Sequence, residues 1–429
     1  MEIKREKYLN ELINRRNNGL IKVITGLRRS GKSYLLFNIY YDYLIKTGVN
    51  ADNIITIPLD DYDYSELCDP SKLYEYIKER IKDKNQTYYI FIDEAQYAIS
   101  KEELKNPDIP VRLYSVLNGL LRRKNTDVYV TGSNSKFLSS DILTEFRGRG
   151  DEVHVAPLSF SEYLPASKKD KRDAWQDYLI YGGLPHIFSE PNDAAKSSYL
   201  ERLNREIYLK DIAERHEIRD ETGMEELMKV RASSVGSLTN QKKIADTFVS
   251  MGIKGITAPT ISRYLQFLQE SFLIQKAERF DIKGRRYIGT PSKYYCTDLG
   301  LRNALLNFRQ YEETHLMENA IYNELIYRGF NVDVGIVETR YMEHETRKRS
   351  QLEVDFIVNR NSERYYIQSA FSLPTQEKIN QECAALIRIP DSFKKIIITN
   401  NNTPVWRDEH GITFLNLFGF LLDENSLSV

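Results

Sequence analysis

Cysteine and long apolar runs are both scarce in this sequence. Its three cysteines, at positions 68, 296 and 383, are far apart and have no histidine neighbours, which excludes the ligand spacings of zinc sites. No stretch approaches the roughly 20 apolar residues that cross a bilayer, and the charged N-terminal segment lacks the apolar centre of a signal peptide. These absences predict free thiols in a reducing compartment, no membrane partner and a cytoplasmic location.

An excess of charge of one sign is also missing. Lysine and arginine total 60 against 61 acidic residues, so no overall field indicates a nucleic acid partner. Apolar residues are plentiful, at 41%, and 29 tyrosines are present, which is typical of a folded chain. Because single cores stop growing beyond roughly 250–300 residues, the 429 residues predict two to four packed units.

A glycine-framed loop, "ITGLRRSGKS" over residues 24–33, separates a β-branched run from an apolar helical pattern. It matches the phosphate-binding loop G-x-x-x-x-G-K-[S/T] in full. Its backbone N–H groups and the following helix predict an anion cradle, with Lys32 on the β- and γ-phosphates and Ser33 on Mg²⁺. Arg28 and Arg29 occupy variable positions, where solvent or a partner is the alternative to a direct phosphate contact. The predicted nucleotide-binding residues are Gly26, Leu27, Arg28, Arg29, Ser30, Gly31, Lys32, Ser33 and Tyr34.

A second motif, "TYYIFIDEAQ" over residues 87–96, reads as a buried strand that ends in two carboxylates. We expect Asp93 to share Mg²⁺ with Ser33, and Glu94 to orient and deprotonate the attacking water. Gln96 is a candidate γ-phosphate sensor. A helix N-cap is the alternative interpretation of the acidic pair.

Small polar and basic residues follow a third predicted strand, at 128–131. Ser133 or Asn134 is expected to contact the attacking water or the γ-phosphate, although a plain turn fits as well. Arg147 and Arg149 are candidates for charge stabilisation during phosphoryl transfer, in cis or on a neighbouring subunit; surface ion pairs are the alternative.

The motifs "GLRRSGKS", "IFIDEAQ", "TGSNSKFL", "RGRGDEVHVAPLSFSEYL" and "YGGLPHIF" together resemble a prokaryotic family of AAA-like P-loop ATPases related to the signal-transducing ATPases. The resemblance implies that Asp93 and Glu94 are the metal ligand and the catalytic acid, and that Asn134 or Ser133 is a polar sensor. It also implies that a glycine-proline element from a helical lid packs near the nucleotide, carried by Gly182, Gly183 and Pro185. The residues alone predict only a helix stop and a turn there.

The segment from 231 to 310 is basic, with 13 lysines and arginines against 5 acidic residues. Its pattern predicts a helix capped by Thr239, a second helix, and a hairpin about Gly284, which is the order of a winged helix. Such a module would offer Thr260, Arg263 and Tyr264 to a DNA groove, and Lys283, Arg285 and Arg286 to phosphates. A structural or protein-contact module is the alternative.

The final third resembles the restriction-endonuclease-like fold, in which three acidic residues and a lysine bind Mg²⁺ beside the scissile phosphate. Glu318, Glu353 and Asp355 match the acidic trio. The second strand, however, carries Gln368, Ser369 and Ala370 where a carboxylate and a lysine are required. We therefore expect a scaffold without nuclease activity.

Together these patterns predict an α/β protein: a P-loop parallel sheet with a helical lid, a winged helix and a C-terminal endonuclease-like α/β domain. The expected domains are 1–165 (ATPase core), 166–230 (lid), 231–310 (winged helix) and 311–429 (endonuclease-like). The predicted function is slow MgATP hydrolysis that switches binding of a protein or DNA partner, with homo-oligomers as a further expectation. The alternatives are an ATP-dependent DNA translocase or nuclease, and a structural binder of ATP or ADP that releases no phosphate.

Overall fold

The computed structural model describes residues 3–106, 108–132, 149–218, 220–253, 255–343 and 346–428. It divides the chain into two compact units, one of residues 1–157 with 270–272 and one of residues 158–269 with 273–429. Within the described ranges no helix is long and apolar enough to cross a membrane.

The first unit is built on a parallel sheet of five strands in the order β2-β3-β4-β1-β5. Every residue of β1 and β3 is buried, and so is all of β4 except its first residue, which explains their apolar runs. The predicted parallel α/β sheet is confirmed. The strands are β1 (Ile21–Thr25), β2 (Ile54–Pro58), β3 (Tyr88–Asp93), β4 (Thr126–Thr131) and β5 (Gly150–His154).

Helices flank this sheet. The helix after β1 has three consecutive segments, α at Lys32–Tyr34, π at Leu35–Tyr40 and α at Tyr41–Lys46, labelled together α2. The others are α1 (Glu6–Asn14), α3 (Pro70–Arg80), α4 (Lys101–Lys105) and α5 (Arg112–Leu121), with short 3₁₀ turns at Ala51–Asn53, Tyr62–Cys68 and Ala95–Ala98.

Strand order decides which loops meet in this unit. β4 pairs with β1 on one side, through Ile24 and Thr131, and with β3 on the other, through Ile92 and Val130. Because all three strands run in the same direction, the residues that follow them emerge at one edge of the sheet. That edge therefore brings the glycine loop and the acidic pair together.

The second unit begins with helices. They are α6 (Phe160–Ser167), α7 (Lys171–Tyr181), α8 (α at Asp193–Arg202, π at Leu203–Leu209 and α at Lys210–Arg215), α9 (Glu221–Ser233), α10 (Gln241–Ser250), α11 (Ala258–Glu270), α12 (Leu299–Leu305), α13 (Glu313–Tyr327), α14 (Gln376–Ile387) and α15 (Leu417–Leu422). Short 3₁₀ turns lie at Pro185–Ser189 and Ser426–Ser428.

The same unit contains a mixed sheet of eight strands in the order β12-β13-β11-β10-β9-β8-β6-β7. The hairpin expected to form a wing is β6 with β7, and β6 pairs in parallel with β8. The hairpin thus extends the sheet of the C-terminal third. The strands are β6 (Ile274–Asp281), β7 (Arg286–Cys296), β8 (Asn331–Glu343), β9 (Thr346–Arg360), β10 (Glu363–Ala370), β11 (Lys394–Thr399), β12 (Trp406–Arg407) and β13 (Thr413–Asn416).

Two details of the helix pair α10 and α11 differ from the sequence expectation. The N-cap of α10 is Asn240, whose side chain accepts from Lys243 N, whereas Thr239 is buried and its N–H donates to Ser292 O. Tyr264, expected in a DNA groove, is also buried in α11, while Arg263 beside it is exposed. A buried ring cannot contact DNA, so that prediction for Tyr264 is wrong.

Candidate functional site: the glycine loop and its carboxylates

The loop after β1 is shaped by two glycines with positive φ. Gly26 has φ +136°, and a Cβ there would lie 2.2 Å from the backbone oxygen of Val155, so no other residue fits. Gly31 has φ +96° and stands immediately before the first residue of α2. The loop therefore turns back over the N-terminus of α2, which is the geometry that points backbone N–H groups at an anion.

Lys32 is folded into this loop. Its Nζ donates to Gly26 O at 3.1 Å and to Leu27 O at 3.0 Å, and the residue is 4% exposed. Burial lowers the pKa of Lys32 to about 8, against the opposing effect of the Glu94 and Asp93 carboxylates. The ammonium is thus held among carbonyl oxygens, which are weaker partners than a phosphate.

Asp93 ends β3 and is buried beneath the loop. Its carboxylate accepts from the Ser33 hydroxyl and, through Oδ1, from the Thr131 hydroxyl. Burial raises the pKa of Asp93, and the hydrogen bonds from Thr131 and Ser33 oppose that rise. Ser33 and Asp93 are therefore direct neighbours, as two ligands of one metal ion must be.

Glu94 follows in the left-handed conformation, at φ +49°. Its N–H donates to Thr131 Oγ1 at 3.0 Å, and its carboxylate accepts from the Gln96 side chain. Thr131, which the sequence reading did not single out, therefore holds both acidic residues at once. Its position at the end of a buried strand was the available signal.

The other loop residues differ in exposure. Leu27 and Ser30 are fully buried, Arg28 is partly buried, and Arg29 and Tyr34 are exposed. Arg29 has φ +68°, which turns the chain before the second glycine. The exposed Arg29 is consistent with the solvent or partner alternative given for it above.

Three predicted residues lie outside the described part of the chain: Ser133, Asn134 and Arg147. Arg149 is described, and it lies just before β5, with its carbonyl oxygen accepting from Ile21 N at the first residue of β1. The phosphate loop follows the last residue of β1, roughly 13 Å further along the strand. The structure therefore does not bring Arg149 to the loop in cis, and its role on a neighbouring subunit stays a prediction.

The glycine-proline element lies in the second unit, with Pro185 first in its 3₁₀ turn. Asp298, at the N-cap of α12, shapes it by accepting from Gly183 N at 2.7 Å and from the amides of Gly300 and Leu301. Burial raises the pKa of Asp298 to about 6 despite these bonds. Asp298 was not anticipated from the sequence, and the contact of Pro185 with nucleotide stays a prediction.

Arg5 is a further residue that the sequence reading missed. Its guanidinium donates to Ser30 O at 3.2 Å and to Ala156 O at 2.7 Å, and the residue is 5% exposed. Tyr8 OH, in the first turn of the helix α1 that follows Arg5, accepts from Ala156 N at 3.0 Å. Since Val155 packs against Gly26, α1 braces both the loop and the wall beside it.

Replacing Arg5 by alanine should weaken ATP binding about tenfold and lower the melting temperature, because one buried and one partly buried carbonyl lose charged donors worth roughly 1.5–3 kcal/mol each. The dissociation constant of ATP is to be measured well below the melting temperature. Lys4→Ala is the matched control, since Lys4 is exposed and pairs only loosely with Glu6 at 3.7 Å. An unchanged ATP affinity in Arg5→Ala would show that Arg5 stabilises the fold without positioning the loop.

Two family models match the chain. Residues 18–164 match an AAA domain, and residues 172–312 match a domain of unknown function. The AAA match spans the parallel sheet, the glycine loop and the carboxylates described above. The chain therefore contains an AAA domain, with a phosphate-binding loop and two carboxylates at one edge of its parallel sheet.

Two relatives align with most of the sequence. An uncharacterized protein of Haemophilus influenzae is 33% identical over 402 residues, covering 92% of this chain and 93% of the relative. The uncharacterized protein MJ1544 of Methanocaldococcus jannaschii is 28% identical over 354 residues, covering 79% and 72%. The chain belongs to the same family as the Haemophilus protein.

Similar solved structures include AMPPCP-bound DnaA from Aquifex aeolicus, at 13% identity and a TM-score of 0.29, covering 62% of this chain and 86% of that one. The Aeropyrum pernix ORC1 protein in complex with DNA matches at 14% identity and a TM-score of 0.28, covering 71% and 92%. At such TM-scores neither likeness carries an argument about this chain.

Proposed function

We propose that this protein binds MgATP at the glycine loop and hydrolyses it slowly, and that the bound nucleotide controls its binding to a partner. The observation that carries the proposal is the convergence of Lys32, Ser33, Asp93 and Glu94 at one edge of the parallel sheet. The AAA family match supports the same class of activity.

The residues present fit a nucleotide with its metal ion. The hydroxyl of Ser33 and the carboxylate of Asp93 are hard oxygen donors of the kind that Mg²⁺ prefers. Two buried polar atoms beside them, Ser30 Oγ and Gln96 Oε1, have no hydrogen-bond partner among the described residues. The loop would hold the phosphates, and Mg²⁺ would be held by Ser33 and Asp93, where it would neutralise developing charge on the phosphates.

Lys32 and Glu94 would have different roles in the reaction. Lys32 would exchange the carbonyls of Gly26 and Leu27 for phosphate oxygens, a charge-assisted contact that strengthens as negative charge develops. Glu94, hydrogen-bonded to Gln96 and Thr131, would orient the attacking water and accept its proton. A carboxylate that the metal does not neutralise retains the basicity for that step.

The proposal is tested by phosphate release from the full chain with MgATP, for the wild type and for Lys32→Ala. Lys46→Ala is the control, because Lys46 is an exposed lysine further along α2. We expect at least about a 100-fold lower kcat/KM in Lys32→Ala and an unchanged value in the control. Equal turnover in both variants would overturn the assignment. ATP binding without any phosphate release would favour the structural nucleotide binder.

DNA is the second candidate partner, supported by one observation. Lys283 and Arg285 are exposed on the hairpin loop between β6 and β7, Arg286 is exposed at the start of β7, and Arg263 is exposed on α11. Exposed basic groups are the usual contacts to nucleic acid phosphates. We propose that this basic loop is the partner-binding surface.

Measuring ATP turnover with and without duplex DNA distinguishes a DNA partner from a protein partner. Stimulation that disappears when Arg263, Arg285 and Arg286 are changed to alanine would assign DNA binding to the basic segment 231–310. A rate that DNA does not change would favour a protein partner. Directional movement along DNA that requires ATP would instead support the translocase.

A further inference from the structure

Three carboxylates of the second unit converge on one lysine. Lys293 Nζ lies 3.0 Å from Glu318 Oε1, 2.7 Å from Glu353 Oε1 and 3.6 Å from Asp355 Oδ1. Its side chain is 4% exposed, and those of Glu318 and Asp355 are 11% exposed. The lysine is on β7, whereas the carboxylates are on α13 and β9, so the cluster forms only when the hairpin joins the sheet.

Two of these carboxylates, Glu318 and Asp355, also accept hydrogen bonds from other protein groups. Tyr295 OH donates to Glu318 Oε1 at 2.7 Å, and Ser369 N donates to Asp355 Oδ2 at 2.9 Å. A Cβ added to Gly236 would lie 2.9 Å from Glu318 Oε1, which shows how closely the backbone covers that group. Glu318 and Asp355 are therefore enclosed by protein groups that partly neutralise them, whereas the Glu353 side chain is 33% exposed.

The residues do not fit the divalent cation that the endonuclease-like resemblance would imply. Gln368 presents an amide, which donates to Glu382 Oε2 at 3.2 Å and accepts from Asp355 N, and Ala370 has no ligand atom. Among the described residues no group of three or more His, Cys, Asp or Glu side chains is arranged to hold a metal ion. An ammonium already stands between the three carboxylates.

We infer that Lys293 takes the place of a metal ion in this protein: its ammonium fills the gap between Glu318, Glu353 and Asp355, excludes divalent cations and fastens the β6–β7 hairpin to the C-terminal sheet. Two buried carboxylates and a partly exposed third require a positive charge between them, since like charges this close otherwise destabilise one another. The ammonium group of Lys293 supplies this positive charge, so no metal ion from solution is needed. The inference is independent of the proposed ATPase activity.

Removing the lysine should allow the three carboxylates to move together around a divalent cation, which their present arrangement does not hold. We expect Lys293→Met to melt at a lower temperature than the wild type, and MnCl₂ to restore much of that loss. Mn²⁺ electron paramagnetic resonance on the full, nucleotide-free chain should show one added bound Mn²⁺ in Lys293→Met, at least about tenfold tighter than any in the wild type. Adding Asp355→Asn to that variant should remove it.

Lys276→Met is the matched control, because Lys276 is on β6 of the same hairpin and its ammonium pairs with Glu278 of that strand. It should gain no Mn²⁺. A Lys293→Met protein that folds but binds no added Mn²⁺ would overturn the inference. That result would show that the three carboxylates do not form a site for a metal ion even when the lysine is gone.

The wild type alone decides the matter if Lys293→Met fails to fold. Mn²⁺ binding by the wild type that Asp355→Asn abolishes would overturn the inference, and so would Mn²⁺-dependent cleavage of a supercoiled plasmid that the same substitution removes. Wild-type protein with no Asp355-dependent Mn²⁺ and no cleavage is the expected result.

Discussion

Glu94→Gln should lower the rate of ATP hydrolysis at least about 100-fold while leaving ATP affinity within about threefold of the wild type. The amide keeps the size of the side chain and can still hydrogen-bond Gln96, but it cannot accept a proton from water. The N–H bond to Thr131 is unaffected, so the strained turn at φ +49° should persist. Single-turnover phosphate release and equilibrium nucleotide binding separate the two quantities.

Glu79→Gln is the matched control for this experiment. Glu79 is an exposed residue of α3 in the same unit, and removing its charge should leave both quantities unchanged. A Glu94→Gln protein that hydrolyses ATP at the wild-type rate would assign the proton acceptor elsewhere. Loss of ATP binding in the same variant would instead indicate that Glu94 acts through the fold of the loop.

Gly26→Ala should abolish nucleotide binding and lower the free energy of unfolding by roughly 3 kcal/mol. At φ +136° the backbone is in a region that only glycine readily adopts, and the new methyl group would meet the carbonyl oxygen of Val155 at 2.2 Å. That oxygen belongs to the backbone, so it can move only if the chain that follows β5 shifts. Urea unfolding and nucleotide titration measure the two effects.

Gly48→Ala separates the clash from the backbone strain. Gly48 also has a positive φ, +91°, but a Cβ there would meet nothing within 4 Å. Its substitution should cost only about 1 kcal/mol and leave nucleotide binding intact. Equal losses of stability in the two variants would show that the backbone at Val155 shifts to make room for the methyl group. Val155 would then not constrain the loop.

The sequence predicted best those parts of the candidate site whose residues are close together in the sequence. The strand, glycine loop and helix around Lys32 are local, and the acidic pair ends a strand whose burial its own composition indicates. The parallel sheet predicted from these patterns is confirmed. The order of the strands in the sheet could not be predicted from composition. In the structure β4 lies between β1 and β3, and this order brings Thr131 to Asp93 and Glu94.

Residues that act across long sequence separations could not be predicted in this way. Arg5 reaches a carbonyl 25 residues later, and Lys293 meets Glu318 at the same separation but through a hairpin that pairs with a distant strand. Neither residue type is unusual in its local sequence. Their importance follows from burial, which deprives a charge of water and makes its partners matter.

The error at Tyr264 has a different origin. Ile261, Tyr264, Leu265 and Leu268 recur at the spacing of a single helix face, and the structure buries all four. The periodicity therefore indicated that Tyr264 is buried. The expected DNA contact was instead assigned from the winged-helix pattern, without regard to which face of the helix Tyr264 occupies. Arg263, one position earlier, points to the exposed side that the same pattern defines.

The eight-stranded sheet also determines how the gene can be divided for laboratory work. A truncated polypeptide starting at residue 311 would lose β6, leaving β8 with an open edge prone to self-association. It would lose Lys293 as well, so that three carboxylates would face one another without a counterion. A fragment intended to retain the C-terminal third should therefore start upstream of Ile274.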